Sequence, residues 1–208
     1  MFRTPRPAAL GAAVALVLSL AACQAETEAA PETSASPSAS PTPTDSPSPT
    51  PEDPAEAAKA KNIAEAEQRY LEYQDITSEY AQKGENPFWD LMSGGYIGSA
   101  ELQESEQSYW EQFTELKLKE TGPPGSETVE VVEVTKYEGD PLKKDVTGQR
   151  VYMNVCIDNS GRDVVRPDGT SAVQNGGPDR VLMKVVMQGQ KQEGIWSLDE
   201  NASTGKKC

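Results

Sequence analysis

The sequence predicts an α+β fold, with helices in the first part of the folded region and an antiparallel sheet in the second. Before about residue 120, apolar residues recur at steps of three and four, which is helical spacing. From Thr128 onward they recur at steps of two, which is strand spacing, and turn residues separate the runs. Because helical and strand segments do not alternate along the chain, the α+β class is expected rather than a parallel α/β sheet.

A long first helix is expected to begin at Asp53. Asp53 is a suitable N-cap, Pro54 fits the first helical position, and Glu56 stands where a capping-box partner is found. Gly84 is expected to end the helix. Its inner face is aromatic and comprises Ile63, Ala66, Tyr70, Tyr73, Thr77 and Tyr80.

Two shorter helices are expected next. Residues 86–92 form the first of them, closed by Ser93-Gly94-Gly95. In the second, three-and-four spacing predicts an inner face of Leu102, Tyr109, Phe113 and Leu116, with Glu101, Glu104 and Glu111 toward solvent. The Gly- and Pro-containing segment at 121–125 then interrupts the chain.

Four strands are expected after this break, at residues 128–137, 150–158, 181–188 and 193–199. Turn signals lie between them at 158–161, 167–169 and 175–178. Connections this short join antiparallel neighbours, so the strands are expected to form an antiparallel sheet.

The first 22 residues have the order of a secretory signal peptide. Arg3 and Arg6 form a basic head, an apolar run extends from Ala8 to about Leu20, and small residues follow. The segment Leu20-Ala21-Ala22-Cys23 resembles the lipobox of bacterial lipoproteins, in which the cysteine receives a diacylglycerol. The resemblance implies a palmitate-bearing anchor on Cys23 at the extracytoplasmic face of the cell membrane; ordinary cleavage that releases a soluble protein is the alternative.

A linker is expected at residues 23–53. Pro, Ser, Thr, Ala and Glu dominate it and large apolar side chains are almost absent, so it buries too little surface to offset the entropy cost of ordering. At ~3.1 Å per residue in extended polyproline II, about 30 residues span at most ~90 Å. The folded domain is therefore expected at residues 54–208.

Composition excludes several classes of function. The net charge is −14, from 19 Lys+Arg and 33 Asp+Glu, so nucleic acid is not expected as a partner. The 208 residues contain no histidine, which excludes Ser-His-Asp triads, Cys-His dyads and His-based metal sites. No cofactor and no metal site are expected.

Two cysteines remain after Cys23 is assigned to lipid. Cys156 and Cys208 are an even pair in an exported, oxidising setting, and a disulfide between them is favoured. The alternative is a reactive thiol, for which Lys206 and Lys207 beside Cys208 are the only charged companions.

The order of elements resembles the cone-shaped nuclear transport factor 2-like superfamily, and more narrowly actinobacterial lipoproteins that carry this domain behind a signal peptide and linker. The resemblance covers about residues 54–208. It depends on the helix at 70–80, on Trp89 and Leu91, on Val155-Cys156-Ile157-Asp158, and on the ending from Gly194 through Trp196 to Cys208. Members include isomerases, cyclases, dehydratases and binding modules, and relatives often dimerise through the open face of the sheet.

If the cone holds a pocket, aromatic residues and alternate strand residues would line it: Tyr70, Tyr73, Trp89, Tyr152, Asn154 and Asp158. The favoured alternative is that the aromatic residues form the core between helix and sheet and that Asp158 begins a turn. No local motif assigns catalytic roles to them. The leading hypothesis is a non-enzymatic domain that binds a cell-envelope protein or a small ligand; the alternative is a small-molecule enzyme or carrier. An enzyme would need a carboxylate of raised pKa inside a cavity.

Overall fold

The computed structural model describes residues 53–123, 127–173, 179–191 and 195–208. The expected signal peptide, Cys23, the linker up to residue 52 and the turn signal at 175–178 lie outside the described residues. Within them, three helices precede an antiparallel sheet, so the predicted α+β class is confirmed.

The three helices are α1 (Pro54–Lys83), α2 (Phe88–Ser93) and α3 (Ala100–Glu115). The Asp53 carboxylate accepts a hydrogen bond from the backbone N–H of Ala55 at 2.9 Å, as an N-cap does. Gly84 ends α1 with a φ of 73°, in the left-handed region that glycine adopts without steric cost. Both predicted ends of the first helix are therefore confirmed.

The strands are β1 (Lys119–Thr121), β2 (Thr128–Glu138), β3 (Arg150–Asp158), β4 (Asp163–Val165), β5 (Arg180–Gly189) and β6 (Trp196–Ser203). The four longer strands form one antiparallel sheet in the order β2-β3-β5-β6, and β1 pairs with β4 in a separate antiparallel ribbon. The sequence did not predict β1 and β4. The last strand begins at Trp196 rather than at residue 193, and residues 192–194 lie outside the described part of the chain.

One face of the four-stranded sheet carries the core. Alternation along β3 directs Val151, Met153 and Val155 to this face, where each is at most 2 % exposed. Tyr70 and Tyr73 of α1 are buried in the same core. A parallel bridge between Ile97 and Leu198 fixes the connection between α2 and α3 against β6. The sheet therefore positions α1 and α3 on one side.

The inner face of α3 differs from the predicted one. Trp110 and Phe113 are buried, whereas Tyr109 and Leu116 are 53 % and 61 % exposed. Trp110 lies eight residues after Leu102, which is a little over two helical turns, and it carries the larger apolar surface. The helix therefore rotates so that the tryptophan, rather than Tyr109, faces the core.

The predicted disulfide is present. Cys156 and Cys208 are bonded, with their Cα atoms 5.8 Å apart. Cys156 stands one residue out of phase with the core residues of β3, so the bond lies on the sheet face opposite the helices. None of the helices in the described ranges combines the length and the hydropathy that crossing a membrane requires.

Candidate functional site

A cavity of about 550 Å³ lies where α1 and α3 meet the β1–β4 ribbon and the end of β3. Its apolar wall includes Trp110, Ile157 and Val164. Tyr109 and Val173, each 53 % exposed, lie at its rim. The cavity is thus a recess with apolar and polar walls and a solvent-accessible mouth, a form in which small-ligand sites occur.

Glu106 of α3 lines the cavity and is held by two donors. The Tyr73 hydroxyl donates to Glu106 Oε1 at 2.8 Å, and the indole N–H of Trp110 donates to Oε2 at 3.0 Å. Burial raises the pKa of the Glu106 carboxyl, and the two hydrogen bonds partly oppose that rise. Burial, together with the Glu106 charge, raises the pKa of Tyr73 as well, so its hydroxyl remains a donor.

A second group of polar side chains lies beside this pair. The Gln74 amide donates to the Tyr70 hydroxyl at 2.7 Å, and that hydroxyl is 3.4 Å from Asn201 Oδ1 of β6. Gln74 and Asn201 both line the cavity. Their amides offer a bound molecule hydrogen-bonding groups that are fixed by buried neighbours.

Arg162 forms the charged wall of the cavity. Its guanidinium is ion-paired with Glu120 of β1 and with Glu127, and it donates to Ser78 Oγ of α1 at 3.3 Å. The Arg162 side chain is only 8 % exposed. A cation so buried requires both carboxylates, and together they join the ribbon to α1.

Two of the six residues expected in a pocket lie in the core beneath the cavity. Tyr70 is fully buried and Tyr73 is 4 % exposed. Tyr73 lines the cavity and contacts Glu106 directly, whereas Tyr70 supports it through Gln74. The aromatic face predicted for α1 therefore reaches the cavity.

Three of the six residues expected in a pocket lie on the sheet face that points away from the cavity. Tyr152, Asn154 and Asp158 share the parity of Cys156, so they point away from the helices. Tyr152 donates to Glu138 at 2.8 Å, and Asp158 pairs with Arg180 at 3.5 Å. The odd-numbered residues of β3 carry the apolar side chains, and one of them, Ile157, reaches the cavity. The homodimer expected through this outer face stays a prediction.

Trp89 does not line the cavity either. It is 74 % exposed, while its neighbours Phe88 and Leu91 are 5 % and 0 % exposed. A helix of six residues has only one buried face, and consecutive residues are separated by about 100° around its axis. Burying Phe88 and Leu91 in the core therefore leaves the intervening tryptophan in solvent.

Glu106 and Arg162 are cavity residues that the sequence pattern does not predict. The signal for Glu106 was present, because a carboxylate interrupts the apolar stripe of Leu102, Trp110 and Phe113 on α3. Tyr109, which also fits three-and-four spacing with Leu102 and Phe113, obscures this signal. Arg162 lies in a turn between β3 and β4, where sequence periodicity gives no orientation.

Comparison with known proteins finds no matching family model and no similar curated protein. Among the described side chains, no three His, Cys, Asp or Glu residues are grouped closely enough to hold a metal ion. The site is therefore characterised by its own geometry: a cavity with a partly buried, hydrogen-bonded carboxyl at Glu106, fixed amides and an arginine that is ion-paired within the wall.

Proposed function

We propose that the chain is a lipoprotein anchored through Cys23 at the extracytoplasmic face of the membrane, and that its domain binds a small ligand without chemical conversion. We further propose that this domain has the nuclear transport factor 2-like cone fold. Three helices followed by antiparallel strands, with Trp196 in the last, support that assignment. The Leu20-Ala21-Ala22-Cys23 segment supports the anchor.

The observation that carries the binding proposal is the placement of Glu106 inside the cavity. Both of its oxygens already accept a hydrogen bond, from Tyr73 and Trp110. Each oxygen retains a second lone pair, so the group can accept from a ligand while keeping a fixed orientation. Fixed polar groups beside the apolar wall of a recess orient a ligand and give specificity.

The binding proposal is tested by screening a library of small anions, neutral molecules and cations against the complete chain purified in detergent. Binding is followed through the indole N–H resonance of Trp110, which a cavity ligand is expected to shift. The resonances of Trp89 and Trp196 serve as internal controls, since neither residue lines the cavity. If no compound in the library shifts the Trp110 resonance, the binding proposal is contradicted.

The anchor is tested by labelling cells that express the full chain with an alkyne fatty acid. Labelled protein is expected in the membrane fraction, and Cys23→Ser is expected to remove the label. Persistent labelling of Cys23→Ser would show that the lipid, if any, is attached elsewhere.

A second candidate function is acid–base catalysis on a small molecule, and one observation favours it. A carboxyl of raised pKa that faces the Tyr73 hydroxyl is a known arrangement for proton transfer. Binding remains the better-supported proposal because the hydrogen bonds from Tyr73 and Trp110 stabilise the ionised Glu106 carboxylate and partly oppose the rise in its pKa that burial causes, which makes it a weaker base while leaving lone pairs for a ligand. Chemical conversion of a ligand found in the screen, abolished in Glu106→Gln, would establish catalysis instead.

A further inference from the structure

The cavity carries an unbalanced negative charge. Its described lining includes a single cationic side chain, Arg162, and five carboxylates: Glu106, Glu120, Glu127, Asp163 and Asp179. Arg162 is already ion-paired with Glu120 and Glu127, so its charge is neutralised within the wall. A ligand that enters therefore meets a negative potential, which low-dielectric walls strengthen.

Aromatic residues lie near the partly buried Glu106 carboxylate. Tyr109 precedes Trp110 on α3, and their rings meet edge to face with centroids 5.1 Å apart. Both residues line the cavity together with Glu106 and Tyr73. An aromatic ring beside a carboxylate can help to hold an ammonium group, because the ring quadrupole and the charge attract the same cation. The half-exposed Tyr109 offers such a ring, whereas Trp110 presents its indole N–H edge to Glu106.

We infer that the cavity takes a small organic cation, with an ammonium group beside Glu106 and an apolar body against Trp110 and Val164. The inference rests on the proposed binding function and specifies its ligand class. Anions are opposed by the five carboxylates, and a neutral ligand would leave their mutual repulsion unrelieved. Hydrogen bonds from the ammonium to the remaining lone pairs of Glu106 would be charge-assisted.

The inference predicts that binding weakens on acidification. The ionisable groups facing Glu106 are Tyr70 and Tyr73 from α1 and Tyr109 from α3, and Tyr109 also interacts with Arg162. The tyrosines stay neutral and Arg162 stays charged at ordinary pH, so Glu106 is the group in this set that changes charge in mildly acidic solution. Protonating Glu106 removes the partner of the cation, and affinity falls with it.

A matched set of three probes tests the ligand class: 2-phenylethylamine, 2-phenylethanol and phenylacetate, which share an aromatic body and differ in charge. Calorimetric titration of the complete chain in detergent near neutral pH is expected to show the amine binding at least about tenfold more tightly than the alcohol. Phenylacetate is expected to bind most weakly. Glu106→Gln is expected to weaken amine binding at least about tenfold, and the exposed Glu104→Gln on the same helix to leave it unchanged.

A second variant pair guards against misfolding of Glu106→Gln. Tyr109 is half exposed at the rim, so its substitution is compatible with folding. Tyr109→Leu is expected to weaken amine binding about fivefold and alcohol binding less, and Tyr109→Phe to retain both. Equal losses for amine and alcohol in Tyr109→Leu would overturn the cation–π contribution.

Two outcomes separate this inference from the binding proposal. If the alcohol or phenylacetate binds as tightly as the amine, or if none of the three binds while the library screen finds a neutral or anionic ligand, the cation inference is overturned and the binding proposal stands. If both the probes and the library leave Trp110 unshifted, both proposals fail.

Discussion

Single residues determine the chemistry of the cavity, and Glu106 is the clearest example. A carboxylate on the apolar stripe of a helix costs folding energy unless donors compensate it. Tyr73 and Trp110 supply such donors, but burial still raises the Glu106 pKa. A group retained at such a cost is a candidate for function rather than for stability.

Glu106 is expected to make the domain less stable as pH rises. Its folded pKa lies above the ordinary value of 4.5, so between those two values the folded state binds more protons than the unfolded state. Stability therefore falls as pH rises through this window. Urea unfolding from pH 4.5 upward should show a smaller decline in Glu106→Gln than in the wild type.

One control variant and the behaviour of the other shifted carboxyl groups isolate this effect. The exposed Glu104→Gln should keep the wild-type slope. Glu67, whose pKa burial also raises, contributes equally to every variant. Asp145, Asp158 and Asp168 have lowered pKa values, so the stability they contribute is lost at lower pH, as pH falls through their folded values. An unchanged slope in Glu106→Gln would contradict the assignment.

At the scale of elements, Arg162 holds the β1–β4 ribbon against the helices. Glu120 belongs to β1, Ser78 belongs to α1, and Arg162 lies in the turn before β4. The ribbon has only three residues in each strand, too few for independent stability. The wall of the cavity therefore depends on this ion-pair network.

Arg162→Met is expected to destabilise the domain by about 3–5 kcal/mol, because it leaves two carboxylates buried without a counter-charge. Arg150→Met is the matched control: Arg150 is 40 % exposed and pairs with Asp199 at 3.4 Å, so its loss should cost at most about 1 kcal/mol. Urea unfolding measures both, and adding Glu120→Gln and Glu127→Gln to Arg162→Met should recover much of the loss. Equal losses for the two arginine variants would contradict the buried network.

The elements also show what the sequence could and could not predict. Caps and periodicity gave α1 and its aromatic face, because these depend on local geometry. Strand alternation predicts the long strands. When both sets of alternate residues contain apolar side chains, however, it does not say which set faces the helices. For this reason the sequence predicts Tyr152 as a pocket residue and does not predict Ile157. The short pairing of β1 with β4 depends on contacts far apart in sequence, which no local pattern contains.

On the scale of the whole molecule, the sheet separates two chemically different faces. The inner face carries the core and the cavity, with Ile157 reaching both. The outer face carries the ion pairs of Asp158 and Arg150 and the disulfide at Cys156. Changes on the outer face should therefore alter stability without altering the binding site.

The disulfide allows this separation to be tested. The bond joins residues 52 apart in sequence, and closing a loop of that size in the unfolded chain contributes ~4 kcal/mol by the chain-entropy model. The double variant Cys156→Ala/Cys208→Ala is expected to lose about that much stability in urea unfolding, and reduced wild-type protein should lose a similar amount. Affinity for a cavity ligand should be unchanged wherever the variant is fully folded, because the bond lies across the sheet from Glu106. A parallel loss of affinity would show that the two faces are coupled through β3.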